Sequence, residues 1–336
     1  MRISRRAFVV SVTAAALGFA RGEWAQDGVP IDTVLGPVRP RDLGITLMHE
    51  HILVDFIGAE KIGPGRYDPD EAFRIALPHL KRLRELGCRT LVECTPAFLG
   101  RDPLLLRRLA EASGLHLLTN TGYYAAAGTK YVPLHAYTES AEELARRWIG
   151  EFEKGIGNTG IRPAFIKTGM DKGPLPEISR KLIQAAAITA KATGLKIAAH
   201  SGDGAAALEA LDILRLAGVK AEAFIWVHAQ NEKESGRHAR AAEMGAWVEF
   251  DGISEVSLDR HLGMVRAMID RGLIRRVLLS QDAGWYRVGE PGGGKFLPYD
   301  LIFTRFLPAL RQAGTSEEQV HQLMVLNPRE ALRRLA

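Results

Sequence analysis

The sequence predicts an α/β fold, a single (β/α)₈ barrel. Three observations carry that prediction. Apolar, β-rich runs alternate regularly with amphipathic helical stretches. The alternation repeats eight times in about 300 residues. Imidazole, amine and carboxyl side chains stand where several of the apolar runs stop. Regular βα alternation implies a parallel sheet, and eight such units imply a closed barrel with functional side chains at the C-terminal ends of its strands. An open, doubly wound sheet usually has fewer strands and a glycine-rich phosphate turn after strand one. Here His49-Glu50-His51 takes the place of that turn.

The elements follow in order. Ile45–Met48 is the first predicted strand. A helix over Asp70–Leu86 comes next, with Phe73, Leu77, Leu80 and Leu83 at helical spacing and Gly87 as its stop. Thr90–Cys94 is the second strand and Pro103–Ala112 the next helix. Leu115–Thr119 is the third strand; a loop rich in Gly, Tyr and Ala (Gly122–Pro133) leads to a helix over Ser140–Lys154. Strands four to eight fall at Ala164–Lys167, Lys196–His200, Phe224–His228, Trp247–Phe250 and Val277–Ser280. The helices between them fall at Glu177–Thr193, Ala205–Ala217, Glu232–Met244 and Leu258–Arg271. A glycine-rich loop, Gly289–Lys295, precedes two last helices, Asp300–Ala313 and Ser316–Leu335. No linker, internal repeat or low-complexity segment interrupts residues 26–336, which read as one domain.

Residues 1–25 differ in kind. Arg5-Arg6 precedes an apolar run from Val9 to Ala20 with small residues near its end. A paired arginine before a modest apolar stretch resembles a twin-arginine export signal. About 12 apolar residues are too few to span a bilayer. The expectation is a signal peptide, the twin-arginine export machinery as partner, and a periplasmic or secreted address. The formal net charge is +5. Residues 1–25 hold Arg2, Arg5, Arg6 and Arg21 against Glu23, three of those five charges, so the rest of the chain carries +2. No basic run remains to suggest a nucleic-acid surface. The two cysteines, Cys88 and Cys94, sit about 20 Å apart along one extended segment, beyond disulfide reach.

The strand ends hold the chemistry. His49 and His51 alternate onto one side of the first strand. Lys167 ends the fourth, His200 the fifth and His228 the sixth, while the eighth runs out to Asp282. Each has an ordinary reading alone, as a hydrogen-bonded histidine, a solvated lysine or a helix N-cap. Together, four imidazoles, one lysine and one carboxylate can hold two metals. Burial and neighbouring positive charge both disfavour an ammonium. A free amine can add CO₂ to give an anionic carbamate, whose two oxygens can bridge two ions. Zn²⁺ is the foremost candidate, with Co²⁺, Fe²⁺ and Mn²⁺ suited to the same ligands. The other six histidines (His79, His116, His135, His238, His261, His321) read as surface or structural.

This constellation resembles the phosphotriesterase-like family of the amidohydrolase superfamily, which includes lactonases. The resemblance runs over about residues 30–334. It includes Gly44-Ile45-Thr46-Leu47-Met48-His49-Glu50-His51, Gly100-Arg101-Asp102, Thr121-Gly122-Tyr123 and Asn327-Pro328. It implies that His49, His51 and Asp282 bind a more buried metal and His200 and His228 a more exposed one. Lys167, carboxylated, would bridge them. Asp282 would take the proton of a bridging hydroxide as it attacks an ester, and the exposed metal would polarise the substrate oxygen. Homodimers are common in the family and would be expected here.

The chain also departs from the family pattern. Phosphotriesterases place an Asp three residues after the strand-six His and an Asp-His pair after strand seven. Here those positions hold Asn231 and Asp251-Gly252. The metal site is complete while the proton relay is not, which favours lactones or carboxyl esters over phosphotriesters. Substrate contacts are expected from Tyr123, Trp285 and Asp251, with Tyr124 and Tyr286 beside them, and the Gly289–Lys295 loop is expected to act as a lid. Glu93 is expected to support the metal ligands from inside the barrel. Two other readings stay open: amide or cyclic-imide hydrolysis, and a non-catalytic metal-binding periplasmic protein on the same scaffold.

Overall fold

A computed structural model describes residues 28–335 of the chain. The expected signal segment lies outside the described residues. The parallel strands are β1 (Ile45–Val54), β2 (Cys88–Glu93), β3 (His116–Leu118, carried on by Asn120–Thr121) and β4 (Phe165–Met170). Then come β5 (Ile197–Ser201), β6 (Phe224–Val227), β7 (Trp247–Phe250), β8 (Val277–Leu279) and β9 (Gly284–Arg287). Each of β1 to β7 pairs with the next, β3 meeting β2 through Thr90–His116 and β4 through Asn120–Phe165.

Closure falls to the stretch after β8. Asp282 N–H donates to His49 O at 3.0 Å and His51 N–H to Ala283 O at 2.9 Å. β9 then pairs with β1 in parallel, Gly284 opposite His51. The chain therefore forms the eight-stranded barrel that the βα rhythm predicted, with β9 continuing the path of β8.

Helices coat the outside. α1 (Pro69–Glu85) starts from an Asp68 cap with Pro69 in its first turn and buries Ala72, Ala76, Leu80 and Leu83. α2 (Pro103–Ser113) repeats the device with Asp102 and stops at Gly114 in the left-handed region. α3 (Ala141–Lys154) opens on a Ser140–Glu143 capping box. α4 (Glu177–Thr193), α5 (Gly204–Leu216), α6 (Ser235–Glu243) and α7 (Leu258–Asp270) complete the ring. The last predicted helices are interrupted by wider turns at Ile302–Phe306 and Gln322–Leu326. A hairpin that the sequence reading did not anticipate, Ile31–Thr33 with Gly36–Val38, precedes the barrel.

The apolar residues divide into two bodies. A large cluster fills the space between strands and helices. A smaller one, including Met48, Val92, Leu118, Phe165, Ile225, Trp247 and Leu278, fills the barrel itself and includes Ile31 from the hairpin and Leu332 from the C-terminal helix. This plug leaves the strand ends as the place for a cavity. Both cysteines are buried and free, as expected. Among the described residues no helix is long and apolar enough to cross a membrane.

Candidate metal centre

The first strand does not stop at Met48. It runs on to Val54 because β2 and β9 pair with its two sides. Its register against β2 shifts between Leu47 and Glu50. Met48 belongs to the barrel's inner cluster and His49, its neighbour, lines the inner cavity. Strict alternation would send them to opposite faces; a local irregularity of this kind re-aims one side chain. Glu50, between the two histidines, is fully buried. It accepts hydrogen bonds from Ser280 Oγ at 2.7 Å, Gln281 N–H at 2.9 Å and Ala283 N–H at 2.7 Å. It thereby ties the HEH stretch to the turn that carries Asp282. Sequence reading missed this role because the three donors lie 230 to 233 residues away.

All six expected ligands converge. His51 Nε2 lies 3.2 Å and His49 Nε2 3.7 Å from Asp282 Oδ1. The His49 ring centroid is 4.9 Å from that of His228, which is 4.4 Å from that of His200. Lys167 lines the same cavity at 2% exposure, and its Nζ has no partner. Asp282, His228 and Trp285 all hold positive φ, of 53°, 61° and 76°. Such conformations cost about 1 kcal/mol or more each and gather at functional sites. The indole N–H of Trp285 donates to Asp282 O at 2.7 Å, holding that turn.

The ring nitrogens on the far side matter as much. His51 Nδ1 lies 2.7 Å from Thr95 Oγ1. Thr95 N–H and Ile52 N–H both donate to Glu93, which is 2% exposed. Val92 and Cys94 face the barrel interior, so Glu93 acts on Thr95 from the other face of the strand and not from inside the barrel as expected. His200 Nδ1 lies 2.9 Å from the Tyr124 hydroxyl. His228 Nδ1 is hydrogen-bonded to Asp251, which also accepts from His228 N–H at 3.0 Å and Gln230 Nε2 at 2.7 Å. Such partners fix which nitrogen faces a metal. His49 Nδ1 alone has none; it lies 3.4 Å from Asp251 Oδ2 and 4.0 Å from Glu249 Oε2.

Electrostatics match a ligand set. Burial, with help from the neighbouring positive charges, holds His49 and His200 well below the ordinary imidazole value, which keeps both rings neutral and able to ligate. Burial also lowers His51, against the pull of Asp282. At His228 burial acts downward, but the charge and hydrogen bond of Asp251 outweigh it and raise the ring. Burial pushes Glu50 and Glu93 each up to about 8, despite the hydrogen bonds they accept.

The cavity measures about 170 Å³. Eight rings close a loop around it. From His51 the chain of neighbours runs through Trp285 (4.8 Å between centroids), Phe56 (5.6 Å), Tyr131 (6.2 Å), Tyr124 (6.1 Å) and His200 (5.2 Å). It returns through His228 and His49, whose ring is 5.3 Å from His51. Four of these rings are imidazoles and four are aromatic, and Val54, Cys94, Pro96, Leu99 and Ala127 complete the apolar wall. Tyr124 reaches its place because Gly169 has no side chain: a Cβ there would stand 2.5 Å from the Tyr124 ring.

Four further sequence expectations need correction, one being that Tyr286 would meet substrate, since it does not line the cavity. Tyr123 faces away from the cavity, its hydroxyl 3.0 Å from His135 Nε2 and its ring against Trp148. Its neighbour Tyr124 lines the wall instead, because adjacent residues take opposite sides of the chain. Asp251 is fully buried behind His228, outside the cavity wall, so it orients a ligand and does not meet substrate. The Gly289–Lys295 loop also misses the wall; Gly293 packs on Tyr286, whose hydroxyl bonds Glu71. Trp285 lines the cavity as expected, joined by Phe56 and Tyr131, which the sequence did not single out. His238 and His261 are structural, their Nε2 atoms 2.7 and 2.8 Å from the carbonyls of Ala229 and Asp251.

The residues fit a pair of divalent ions. Ligand atoms of His49, His51 and Asp282 lie within 4.8 Å of one another, as do those of His49, His228 and Asp251. Asp251 is already claimed by the donors around His228, which leaves His228 and His200 with Lys167 for the second ion. Lys167 Nζ and Asp282 Oδ1 are buried and unpartnered, a costly state for protein alone.

Comparison with known proteins agrees. The profile of the Phosphotriesterase family matches residues 29–332. The "Phosphotriesterase homology protein" of Escherichia coli (strain K12) is 30% identical over 289 residues, covering 85% of this chain and 96% of that one. The "Aryldialkylphosphatase" of Saccharolobus solfataricus is 28% identical over 306 residues, covering 87% and 96%. A solved structure, a single-substitution mutant of the organophosphorus hydrolase from Deinococcus radiodurans, superimposes with a TM-score of 0.82 at 26% identity, covering 91% of this chain and 98% of that one. With its barrel, its ligand set and its near end-to-end match, this chain belongs to the phosphotriesterase family.

Proposed function

We propose that the chain is a two-metal hydrolase of ester bonds, with lactones and carboxyl esters as its preferred substrates. One observation carries this reading: four imidazoles, Lys167 and Asp282 converge in one cavity whose other walls are aromatic and aliphatic. His49, His51 and Asp282 would hold one ion, His200 and His228 the other, and Lys167, carrying CO₂ as a carbamate, would join them. Bound there, two divalent ions supply Lewis acidity toward a carbonyl or phosphoryl oxygen and acidify a water to serve as nucleophile. Asp282 would accept a proton; its presence in the cavity wall, Oδ1 3.2 Å from His51 Nε2, supports that role. The aromatic part of the wall excludes water and holds an apolar group of the substrate. Asn231 and Gly252 leave Asp282 without the partner residues of the phosphotriesterases, which favours carbon esters.

A screen of metal-loaded enzyme over lactones, carboxyl esters and paraoxon-like phosphotriesters tests this. Turnover of phosphotriesters alone would overturn the substrate preference. Fewer than about one and a half metals per chain would undermine the binuclear centre itself. A non-catalytic role predicts a missing ligand, and none of the six is missing. Export through the twin-arginine route is part of the proposal, supported by Arg5-Arg6 and the apolar run behind them. Periplasmic recovery should be lost on replacing both arginines with lysine.

A further inference from the structure

We propose that Glu249 is a positioning residue for His49, accepting the Nδ1–H of that ring when the inner metal site is loaded. The proposal rests on the two-metal reading above. Its ground is a gap in an otherwise complete pattern. Three of the four site imidazoles have a partner on the nitrogen that faces away: Thr95 for His51, Tyr124 for His200 and Asp251 for His228. His49 Nδ1 is buried and has none. A ligand ring without such a partner is free to exchange its tautomers, and only the one protonated on Nδ1 leaves Nε2, beside Asp282 and His51, bare for a metal.

Two carboxyl groups stand just beyond hydrogen-bonding distance of that nitrogen, Asp251 at 3.4 Å and Glu249 at 4.0 Å. Asp251 is nearer but tethered. Its oxygens hold the ring and backbone N–H of His228 and the amide of Gln230. Those three contacts set its position from the His228 side. Glu249 has no such commitment: it is 1% exposed and its Oε1 has no partner. It also has one more side-chain torsion than Asp251. Strand alternation brings 249 and 251 to the same face of β7, so Glu249 enters the barrel one step deeper. A buried carboxyl group without a donor is destabilising, and an apolar residue would pack there at no such cost. An unpartnered Nδ1 beside a carboxyl group whose Oε1 is also unpartnered, with about 1 Å between its Oε2 and normal hydrogen-bond length, is the arrangement that loading the site would complete.

The test compares wild type, Glu249→Gln and Glu249→Leu, each loaded with Zn²⁺ or Co²⁺ and titrated against a chromophoric chelator. Glu249→Leu is expected to release one of the two metals about 10–100-fold more readily and the other as wild type does. Glu249→Gln keeps an acceptor oxygen and should stay within about threefold. Urea unfolding of the metal-free proteins checks that the variants fold. If Glu249→Leu does not fold, proton NMR of the Zn²⁺-loaded Glu249→Gln protein decides. The exchange-protected ring N–H signal of His49 should move; an unmoved signal overturns the assignment. Unchanged retention of both metals in Glu249→Leu overturns it too. An equal weakening of both would assign Glu249 to Lys167, which the two ions share, and also overturn it. A wild-type chain that binds fewer than two metals removes the two-metal reading on which the assignment stands.

Discussion

The Tyr124 hydroxyl lies 2.9 Å from Nδ1 of His200. This contact joins the loop after β3 to the end of β5. It makes Tyr124 both a wall of the cavity and a determinant of how His200 presents Nε2. Tyr124→Phe removes the hydroxyl and keeps the ring. It is expected to weaken one metal site about 10–100-fold, the usual loss when a ligand's outer partner is removed. Chelator competition would check this, and unchanged metal retention would show the contact to be incidental.

Lys167 makes the sharpest demand of the two-metal proposal. Lys167→Ala should lower both metal content and esterase activity, the latter by more than about 100-fold, beyond the loss from an outer partner alone. A short carboxylate such as acetate or propionate supplies two oxygens in place of the carbamate and should restore part of the activity. Elemental analysis and rate measurements with and without the added acid test both halves. Full activity in the alanine variant would exclude a bridging lysine.

Phe56 stands in the aromatic part of the wall, with its ring centroid 5.6 Å from that of Trp285. Phe56→Ala should raise KM for esters with an apolar acyl group about tenfold, equivalent to the loss of about 1.4 kcal/mol of apolar contact. kcat should change little, because the Phe56 ring carries no ligating or proton-transferring atom. A steady-state comparison of an acetyl and a hexanoyl ester separates the two constants. Equal KM values in wild type and variant for the hexanoyl ester would remove Phe56 from the substrate site.

Stability of the metal-free protein should fall as the pH rises. Burial pushes Glu50 and Glu93 up to about 8, from 4.5. A carboxyl group raised in this way binds more protons folded than unfolded between those two values. Its contribution is therefore complete below pH 4.5 and lost as the pH climbs through about 8. Glu93→Gln cannot ionise and should flatten part of that slope. Urea unfolding at about pH 5 and about pH 8 measures it; parallel slopes in the two proteins would contradict the argument.

Much of the candidate site was legible because its ligands obey short-range rules. His49 and His51 share a face by strand period, and Lys167, His200 and His228 stand at or just past the ends of apolar runs that any reading would take as strands. Tyr123 illustrates the limit. Tyr123 and Tyr124 are adjacent, alike and equally placed in sequence, yet only Tyr124 meets the cavity, since a glycine on the neighbouring strand makes room for its ring. Asp251 likewise reads as a residue at the mouth until its three donors, all from residues 228–230, are in view.

By itself the sequence determined the βα rhythm, the barrel and the six candidate ligands, because strand period, helix period and the residue at each strand end are local features of the chain. The tertiary structure decided the rest. The register shift in β1 turned His49 inward beside Met48. The turn after β8 closed the barrel onto the histidine strand, with Glu50 as its clasp. The partners of the ring nitrogens came from β2, β3 and β7 or the loops that follow them. Hydrogen bonds between strands depend on register and on which face each side chain takes, and both are set only when the sheet closes.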